Sequence, residues 1–532
     1  MAKIPLGMDL GTTFSAIGKW ENSSVHIGPK LYNFPLENSD SLQSKVFVND
    51  TSNKDKHIVG TAAVNKGRMN PDTYYSAFKR GMDENSPMPC GSNTITPVEL
   101  SSYIVHEALR IVGDVENPTA FVPGGFVVSV PYYFKEPQNR HTDEAVKMAM
   151  EKMFKGRSGY STDLFLRLIP EPIAAGLSYI MDHPHDVKND EIIFVFDLGG
   201  GTFDVTIFKV LNDLDGKKIK FTVLSTAGDS RLGGEDFDET LMQYILDTEG
   251  IDINKVQDND KQKKRILLNL SLACTDCKKQ LSSVDSYEMV LPFFDGRDLE
   301  RVIQRDEFEK CFCGEEGNKV DYKSKIADIV DEALELAHLV PNRIDRVVLV
   351  GGSSNIPIVK RLLQRKFGDK IFTGDTQGAV AKGAALVAAI EMDKKNIAAG
   401  REPEFMTLWH DFKINDTVAH SLGIEIANGK VDEVIRRNAM TPAKAIKFYH
   451  PMSLTDDGEK VKMSPLSICQ GKTKVGQVEF PDIYTHGRKP QDIIIKVELV
   501  AESTEIRSII IVTEGNADKS DIILESTLSI SK

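Results

Sequence analysis

The stretch at residues 192–210, IIFVFDLGGGTFDVTIFKV, constrains the fold more than any other part of the chain. An apolar run and an alternating run flank three glycines, which predicts two β-strands joined by a glycine-rich turn. Ordinary hairpins close with two turn residues, so this turn is longer and barer than closure requires. Its successive N–H groups can bind an anion, and Asp197 and Asp204 beside them suit a Mg2+ ion between carboxylate and phosphate. The alternative is a flexible hairpin tip without a ligand.

The same pattern occurs near the N-terminus, where a strand at residues 4–9 also ends in Asp-Leu-Gly and a turn of small residues. A buried strand, a helical segment and an Ala/Gly-rich helix then recur in the same order after each hairpin. This repeat predicts a duplicated α/β fold with halves at about 1–190 and 191–391, each a mixed sheet covered by helices. A nucleotide would lie between the halves, against both Asp-Leu-Gly turns and the Gly351-Gly352 turn.

Composition and charge exclude several classes of protein. The chain has 532 residues, of which 41% are hydrophobic and 27% charged, and this is ample for several cores. The net charge of −13 argues against a nucleic-acid-binding surface. No apolar run is long enough to span a bilayer, and the N-terminus lacks the apolar segment of a secretory signal. We therefore expect a cytoplasmic protein that binds neither nucleic acid nor membrane.

Two pairs of cysteines leave one alternative open. Cys274 with Cys277 and Cys311 with Cys313 could together form a four-thiolate zinc site. The first pair lies in a long helical pattern, however, where residues three apart simply share a face. Buried reduced thiols are therefore the simpler interpretation.

Beyond residue 391 the character of the sequence changes. Residues 392–417 are charged and lack a sustained pattern, which predicts a linker. From residue 418 to residue 532, short strands alternate with turn signals such as TDDGEK and TEGNADK, which indicates a β-sandwich.

With these elements in place, the chain resembles the seventy-kilodalton heat-shock chaperones over nearly its full length. LGGEDFD together with DLGGGTFDV is highly specific, because actin-like proteins and sugar kinases share the duplicated fold without carrying both strings. The matching stretches are DLGTTFSAIG (9–18), FKR (78–80), SVPYYF (129–134), PEPIAAGLSY (170–179), DLGGGTFDVTI (197–207), LGGEDFD (232–238), LVGGSSNIP (349–357) and SLGIEI (421–426). The resemblance implies an actin-like (ribonuclease-H-like) ATPase domain of two lobes at 1–391, followed by an all-β domain that binds extended hydrophobic peptide.

The resemblance also implies slow hydrolysis of ATP to ADP with Mg2+ between the lobes. Asp9 and Asp197 would hold Mg2+ through its water shell, and Lys79 would position the attacking water or stabilise the transferring phosphoryl group. The expected catalytic set is Asp9, Lys79, Glu171, Asp197, Thr202 and Asp204. The expected nucleotide contacts are Gly11, Thr12, Thr13, Phe14, Gly200, Gly201, Thr202, Gly234, Lys278, Lys279, Ser282, Gly351, Gly352, Ser353 and Asn355.

The adenosine end departs from the family's pattern. The family stacks adenine between two arginines, and the aligned residues here are Lys279 and Asn355. A lysine stem can cover a ring, but a guanidinium plane stacks better. Thr275 and Gln377 stand where the family carries acidic residues near the ribose and the adenine. We therefore expect ATP to bind more weakly than is usual in the family.

The C-terminal part carries the expected peptide site and the expected coupling to the ATPase. Ile424, Ile426, Val431, Leu466 and Ile468 fall where the family lines its peptide cleft, although core positions are the alternative for alternating residues of a sandwich. FKIND (412–416) aligns with the family's interdomain linker, and an insertion with Met406, Leu408 and Trp409 precedes it and could dock instead. No long helical segment follows the strands, so we expect a short member without the helical lid.

Three functions remain open from the sequence. The leading hypothesis is an ATP-dependent chaperone whose partners are unfolded polypeptide, J-domain co-chaperones and a nucleotide exchange factor. The second is a regulatory or scaffolding protein that binds nucleotide with negligible turnover. The third, a small-molecule kinase on the same fold, is disfavoured by the trailing β-domain and by the lack of a sugar-site signature.

Overall fold

The structure is a computed structural model, and it describes most of the chain. The described residues are 3–23, 26–116, 122–154, 164–252, 260–294, 297–372, 374, 377–405, 407–426, 429–462, 465–479, 484–485, 487, 489–501, 505–514 and 520–529. Among the helices of these residues, none combines the length and the apolar character that crossing a membrane requires.

The first half of the predicted duplicated region, residues 1–190, contains a mixed sheet with helices around it. Its elements are β1 Lys3–Asp9, β2 Phe14–Asn22, β3 Ile27–Leu31, β4 Leu42–Gln43, β5 Val46–Val48, β6 His57–Val59, α1 Thr61–Met69, β7 Tyr74–Tyr75, β8 Met88–Cys90, β9 Asn93–Ile95, α2 Pro97–Glu116, β10 Val122–Val130, α3 Glu136–Phe154, β11 Phe165–Pro170 and α4 Glu171–Asp182. The main sheet has the order β11-β10-β1-β2-β3, with β4 paired to β2. Strands β11, β10 and β1 are parallel, and β1, β2 and β3 are antiparallel.

The second half repeats this arrangement. Its elements are β12 Ile192–Leu198, β13 Phe203–Asp213, β14 Lys218–Asp229, α5 Gly234–Thr248, α6 Asp260–Leu281, β15 Ser286–Phe294, β16 Arg297–Gln304, α7 Arg305–Phe312, α8 Tyr322–Leu336, β17 Arg346–Val350, α9 Pro357–Phe367, β18 Ile371–Phe372, α10 Ala379–Ala398 and β19 Asp411–Asn415. The sheet order is β18-β17-β12-β13-β14-β19. The first five strands of this order correspond in place and direction to the five strands β11-β10-β1-β2-β3 of the first sheet. Only β4 in the first sheet and β19 in the second have no counterpart among the described strands. The mixed α/β class predicted from the sequence is confirmed.

Burial on both faces explains the fully apolar run that begins β12. Phe194 and Phe196 point into a core covered by the helices of the second half, whereas Ile193 and Val195 belong to a different core. A strand whose two faces are both buried has no need of alternating polar residues. The central position of β12 therefore follows from its sequence.

The second of these cores joins the two halves through α4 and α10. These are the two Ala/Gly-rich helices, and both contribute to the cluster together with residues of both sheets. A Cβ atom added at Gly383 of α10 would lie 1.8 Å from the carbonyl oxygen of Ala174 in α4. The helices therefore approach as closely as they do because the contact position has no side chain.

The C-terminal part forms two stacked antiparallel sheets. Its strands are β20 Leu422–Ile426, β21 Lys430–Ile435, β22 Ala443–Tyr449, β23 Ser453–Leu454, β24 Val461–Lys462, β25 Leu466–Gln470, β26 Thr473–Val478, β27 Ile493–Ala501, β28 Glu505–Glu514 and β29 Ser520–Ser529. One sheet has the order β21-β20-β25-β26 and the other β22-β27-β28-β29. Side chains of both sheets share one hydrophobic core, as in a β-sandwich.

The segment 392–417, predicted to be a linker, is largely structured. Helix α10 continues into it as far as Ala398, and Asp411–Asn415 pairs in parallel with β14 as the edge strand β19. The preceding insertion docks as well, because Trp409 is fully buried and Leu408 packs against the same core. Met406 lies outside the described residues. The charged composition of this stretch predicted a linker without fixed structure, and it did not indicate that Leu408, Trp409 and β19 would pack against the second half.

Candidate nucleotide site

The two glycine- and threonine-rich turns meet face to face between the halves. A Cβ atom added at Gly200 would lie 2.0 Å from Thr13 Oγ1, and one added at Gly201 would lie 2.6 Å from Thr12 Oγ1. Gly199 differs, since an added Cβ there would meet only Thr202 at ordinary contact distance. Two of the three glycines therefore permit the halves to close on each other, in addition to leaving backbone N–H groups accessible.

Four carboxylates converge at the floor of the cleft between these turns. Asp9 ends β1, Asp197 lies near the end of β12, Asp204 pairs with Asp197 on β13, and Glu171 begins α4. Asp197, Asp204 and Glu171 are all buried. The ammonium group of Lys79, which is also buried, lies 3.2 Å from Glu171 Oε1.

The pKa values of three of these carboxyl groups reflect crowding in a desolvated place. Burial, followed by repulsion from Glu171, raises the pKa of Asp9 to about 7. The same two causes, in the same order, raise the pKa of Asp197 and of Asp204 well above their ordinary values. The backbone N–H of Tyr133 donates to Asp204 Oδ1 at 3.2 Å and acts in the opposite direction.

This excess of negative charge fits a bound cation. Three buried carboxylates and the partly buried Asp9 face one buried lysine, and a divalent ion would offset the imbalance. In the described part of the chain, no three acidic, histidine or cysteine side chains are arranged to ligate one metal ion directly. Mg2+ retains several waters in most protein sites, so a site that holds it through water ligands agrees with this arrangement.

Most of the residues predicted to bind the nucleotide or to act in catalysis line one cavity of about 200 Å3 above the carboxylates. Those that line it are Asp9, Gly11, Thr12, Thr13, Phe14, Lys79, Glu171, Asp197, Gly200, Thr202, Gly234, Lys278, Lys279, Ser282, Gly351, Gly352 and Ser353. Three predicted residues, Gly201, Asp204 and Asn355, are not among its lining residues in the described chain. Gly201 faces Thr12, and Asp204 lies behind the floor, under Tyr133.

The structure adds two acidic residues that the sequence analysis missed. Glu235 accepts a hydrogen bond from Thr13 Oγ1 at 3.1 Å, which connects α5 to the first turn. Asp238 accepts a hydrogen bond from Thr275 Oγ1 at 2.8 Å and pairs with Lys278 at 2.7 Å. Both belong to the LGGEDFD motif, where acidic residues directly after Gly233-Gly234 were the available signal.

The part of the cavity that the sequence predicts for adenosine is built from α6 and the first hairpin. Lys279 Nζ lies 4.7 Å from the centroid of the Phe14 ring, so this lysine and Phe14 stand on the same wall. Lys278 donates to the carbonyl of Gly234 at 2.6 Å and is thereby held by the protein itself. Thr275 is likewise engaged by Asp238, and Gln377 lines the cavity beside Gly352.

The residues predicted to line a peptide cleft separate into two groups. Ile424 and Ile468 are buried in the core of the β-sandwich, opposite each other on β20 and β25. Ile426 is exposed, and Val431 and Leu466 are partly exposed. Two of the five residues predicted to line the peptide cleft are therefore core residues of the sandwich in this conformation, which was the alternative interpretation of the sequence.

Three of the four cysteines considered for a zinc site lie in a hydrophobic core. Cys274, Cys277 and Cys311 are buried in the core of the second half, and all are free thiols. Burial raises the pKa of the Cys277 and Cys311 thiols to about 12. These three side chains pack as small apolar groups.

Comparison with known proteins agrees with this geometry. The family model described as "Hsp70 protein" matches residues 89–527. The chaperone protein dnaK of Gracilaria tenuistipitata var. liui is 31% identical over 483 residues, which cover 84% of this chain and 68% of that protein. By the extent of both matches, the chain belongs to the Hsp70 family of chaperones.

Proposed function

We propose that this protein is an ATP-dependent chaperone that hydrolyses Mg-ATP slowly in an actin-like domain of two lobes at 1–391. What supports this function most directly is one interlobe cavity lined by the carboxylates of Asp9, Glu171 and Asp197 and by the buried Lys79 ammonium, with the buried Asp204 behind its floor. Such a cluster of like charges is unfavourable for folding alone, and perturbed carboxyl groups of this kind concentrate at functional sites.

The residues divide into phosphate-binding and charge-positioning groups. Backbone N–H groups of the turns at 11–13 and 200–202 bind the phosphates, because glycine and threonine leave them accessible. Asp9 and Asp197 hold the water ligands of Mg2+, which when bound neutralises phosphate charge. Lys79 places a second positive charge beside the transferring phosphoryl group. Phosphoryl transfer needs little covalent help from a protein, so positioning and charge suffice.

The β-sandwich at 418–532 binds extended hydrophobic segments of unfolded polypeptide. Ile426, Val431 and Leu466 have exposed surface available to a peptide, whereas Ile424 and Ile468 support them from the core. As in the family, J-domain co-chaperones and a nucleotide exchange factor are the expected partners of the ATPase lobes.

Single-turnover hydrolysis of Mg-ATP by the wild type and by Lys79→Ala tests the catalytic assignment. Removing a positioned cation from the transferring group should lower the rate by about a hundredfold or more. Lys66→Ala, which removes an exposed lysine of α1, is the matched control and should leave the rate within twofold. Equal rates for the wild type and Lys79→Ala would remove Lys79 from the catalytic set.

The adenosine end keeps a second function in consideration, namely nucleotide-dependent scaffolding with negligible turnover. Thr275 and Lys278 are both engaged by Asp238, so neither is held ready for the ribose or the base. Calorimetric titration with ATP alongside the single-turnover assay separates the two functions. Binding of ATP without hydrolysis in the wild type would favour the scaffold and contradict the ATPase.

A further inference from the structure

The segment 131–136, which runs from the end of β10 to the first residue of α3, contacts the floor of the cavity on one side and the β-sandwich on the other. The backbone N–H of Tyr133 donates to Asp204 Oδ1 at 3.2 Å. The carbonyl oxygen of the same residue accepts a hydrogen bond from His420 Nε2 at 2.8 Å. One residue thus joins a carboxylate of the proposed ATPase site to a side chain two residues before β20.

The partner of His420 determines which ring nitrogen of the imidazole carries a proton. A carbonyl oxygen only accepts, so Nε2 of His420 carries the proton and donates. His420 is buried, and its ring meets the ring of Tyr133 edge to face, with centroids 4.3 Å apart. The contact is therefore shielded from water, and its loss would leave a buried carbonyl without this partner.

Other contacts from the β-sandwich side hold the same segment. The hydroxyl of Tyr132 donates to the carboxylate of Asp416. The backbone N–H of Glu136 donates to Gln470 Oε1 at 2.9 Å, and Lys135 Nζ donates to Thr473 Oγ1 at 2.6 Å. Of the partners named here, only His420 bonds to the residue that holds Asp204.

We propose that His420 is a positioning residue for the ATPase site, acting on Asp204 through the backbone of Tyr133. Docking of the β-sandwich presents the imidazole to Tyr133, and the position of the Tyr133 peptide groups sets the hydrogen bond to Asp204. The rate of hydrolysis thereby depends on the state of the β-sandwich. This inference rests on the proposed function, since it concerns regulation of the same site.

Two substitutions at one position separate the hydrogen bond from the bulk of the side chain. His420→Leu keeps an apolar side chain of similar reach but donates nothing. His420→Gln presents an amide N–H at nearly the position of Nε2. Thr473→Val is the matched control, because it removes another hydrogen bond from the β-sandwich to the same segment without touching the backbone of Tyr133.

Hydrogen exchange of the Tyr133 amide reads out the contact without requiring hydrolysis. We expect about tenfold faster exchange in His420→Leu, as for loss of one buried hydrogen bond, and wild-type exchange in His420→Gln and Thr473→Val. In single-turnover assays, His420→Leu should lose the change of rate that an extended hydrophobic peptide produces in the wild type, and His420→Gln should keep it. ATP affinity should stay within twofold in all variants.

The outcomes that overturn these claims are distinct. Unchanged exchange in His420→Leu, or equal acceleration in His420→Gln or Thr473→Val, overturns the role of His420. A wild type that hydrolyses no ATP overturns the proposed function instead, and the exchange comparison still decides whether His420 holds Tyr133. Hydrolysis in His420→Leu that responds to peptide as in the wild type overturns the link to regulation.

Discussion

Trp409 donates its indole N–H to the side-chain oxygen of Asn212 at 3.0 Å from a position with no solvent exposure. Asn212 in turn donates its amide to the carbonyl oxygens of Pro184 and Val187. The pair thus fastens the segment before β19 to strand β13 and to the loop after α4. Because β19 begins two residues after Trp409, this anchor brings the strand to the edge of the second sheet.

Trp409→Ala should lower the free energy of unfolding by about 3–5 kcal/mol, because it empties a large, fully buried site. Trp409→Phe keeps most of the apolar volume and should lose about 1–2 kcal/mol through the unpaired oxygen of Asn212. Urea unfolding followed by circular dichroism measures both. His410→Ala, at the half-buried neighbouring position, should stay within about 0.5 kcal/mol, and an equally small effect of Trp409→Ala would disprove the anchor.

Asp393 holds the other end of the same segment and gives a second stability prediction. Its buried Oδ1 accepts from the backbone N–H groups of Glu404 and Phe405, and its Oδ2 accepts from Thr407 Oγ1. Asp393→Ala should destabilise the protein by about 2–4 kcal/mol, since two buried N–H groups lose their acceptor. Asp393→Asn keeps an oxygen for both and should lose less than half as much in the same urea experiment. Similar losses for both variants would show that charge, rather than acceptance, matters.

The two turns predicted to bind phosphate could be found in the sequence because their pattern is local. Each turn carries its own glycines, threonines and carboxylate, so Asp9 and Asp197 are recognisable without knowledge of the fold. The contacts of Gly200 and Gly201 with Thr13 and Thr12 could not be predicted in this way. They join turns that are distant in the chain, and only the closed arrangement of the two halves reveals them.

The β-sandwich and the linker show where periodicity fails. Alternation places Ile424 and Ile468 on one face of their strands, but it cannot tell whether that face meets the core or a ligand. The linker was judged by its charge, although Trp409 and Asp393 anchor it to the second half of the duplicated region. His420 gave no signal, because a lone histidine before a strand carries no pattern.

The glycine turn provides a matched pair of substitutions within three residues. Gly201→Ala would place a Cβ atom 2.6 Å from Thr12 Oγ1 and should keep the halves from closing. We expect single-turnover hydrolysis to fall at least about tenfold, since closure brings the phosphate turns together. Gly199→Ala meets only an ordinary contact at 3.6 Å and should retain most activity. Equal loss in both variants would mean that backbone freedom, rather than interlobe contact, is what the glycines supply.

Docking of the β-sandwich should depend on pH through His420 and Asp416. Acidification weakens docking through the first of these groups and strengthens it through the second. Burial, aided by Lys135 and Arg437, lowers the pKa of His420 from 6.5 to about 4. The docked state therefore resists protonating His420, and this group's contribution to docking is lost as the pH falls from about 6.5 towards 4. Burial raises the pKa of Asp416 from 3.8 to about 7, so the docked state takes up a proton there, and docking gains as the pH falls through 7.

A single substitution at either residue separates the two pH effects. Docking is followed as the radius of gyration, measured by X-ray scattering between pH 7.5 and pH 5. Asp416→Asn leaves only the His420 effect, so the molecule should expand as the pH falls. His420→Gln leaves only the Asp416 effect, so the molecule should stay compact or contract over the same range. The wild type, in which the two effects oppose each other, should change least. Expansion of both variants on acidification would contradict the role of Asp416 and would show that other groups govern docking, because the net charge of −13 at pH 7 declines towards a pI of about 5.5 and general charge repulsion weakens over this range.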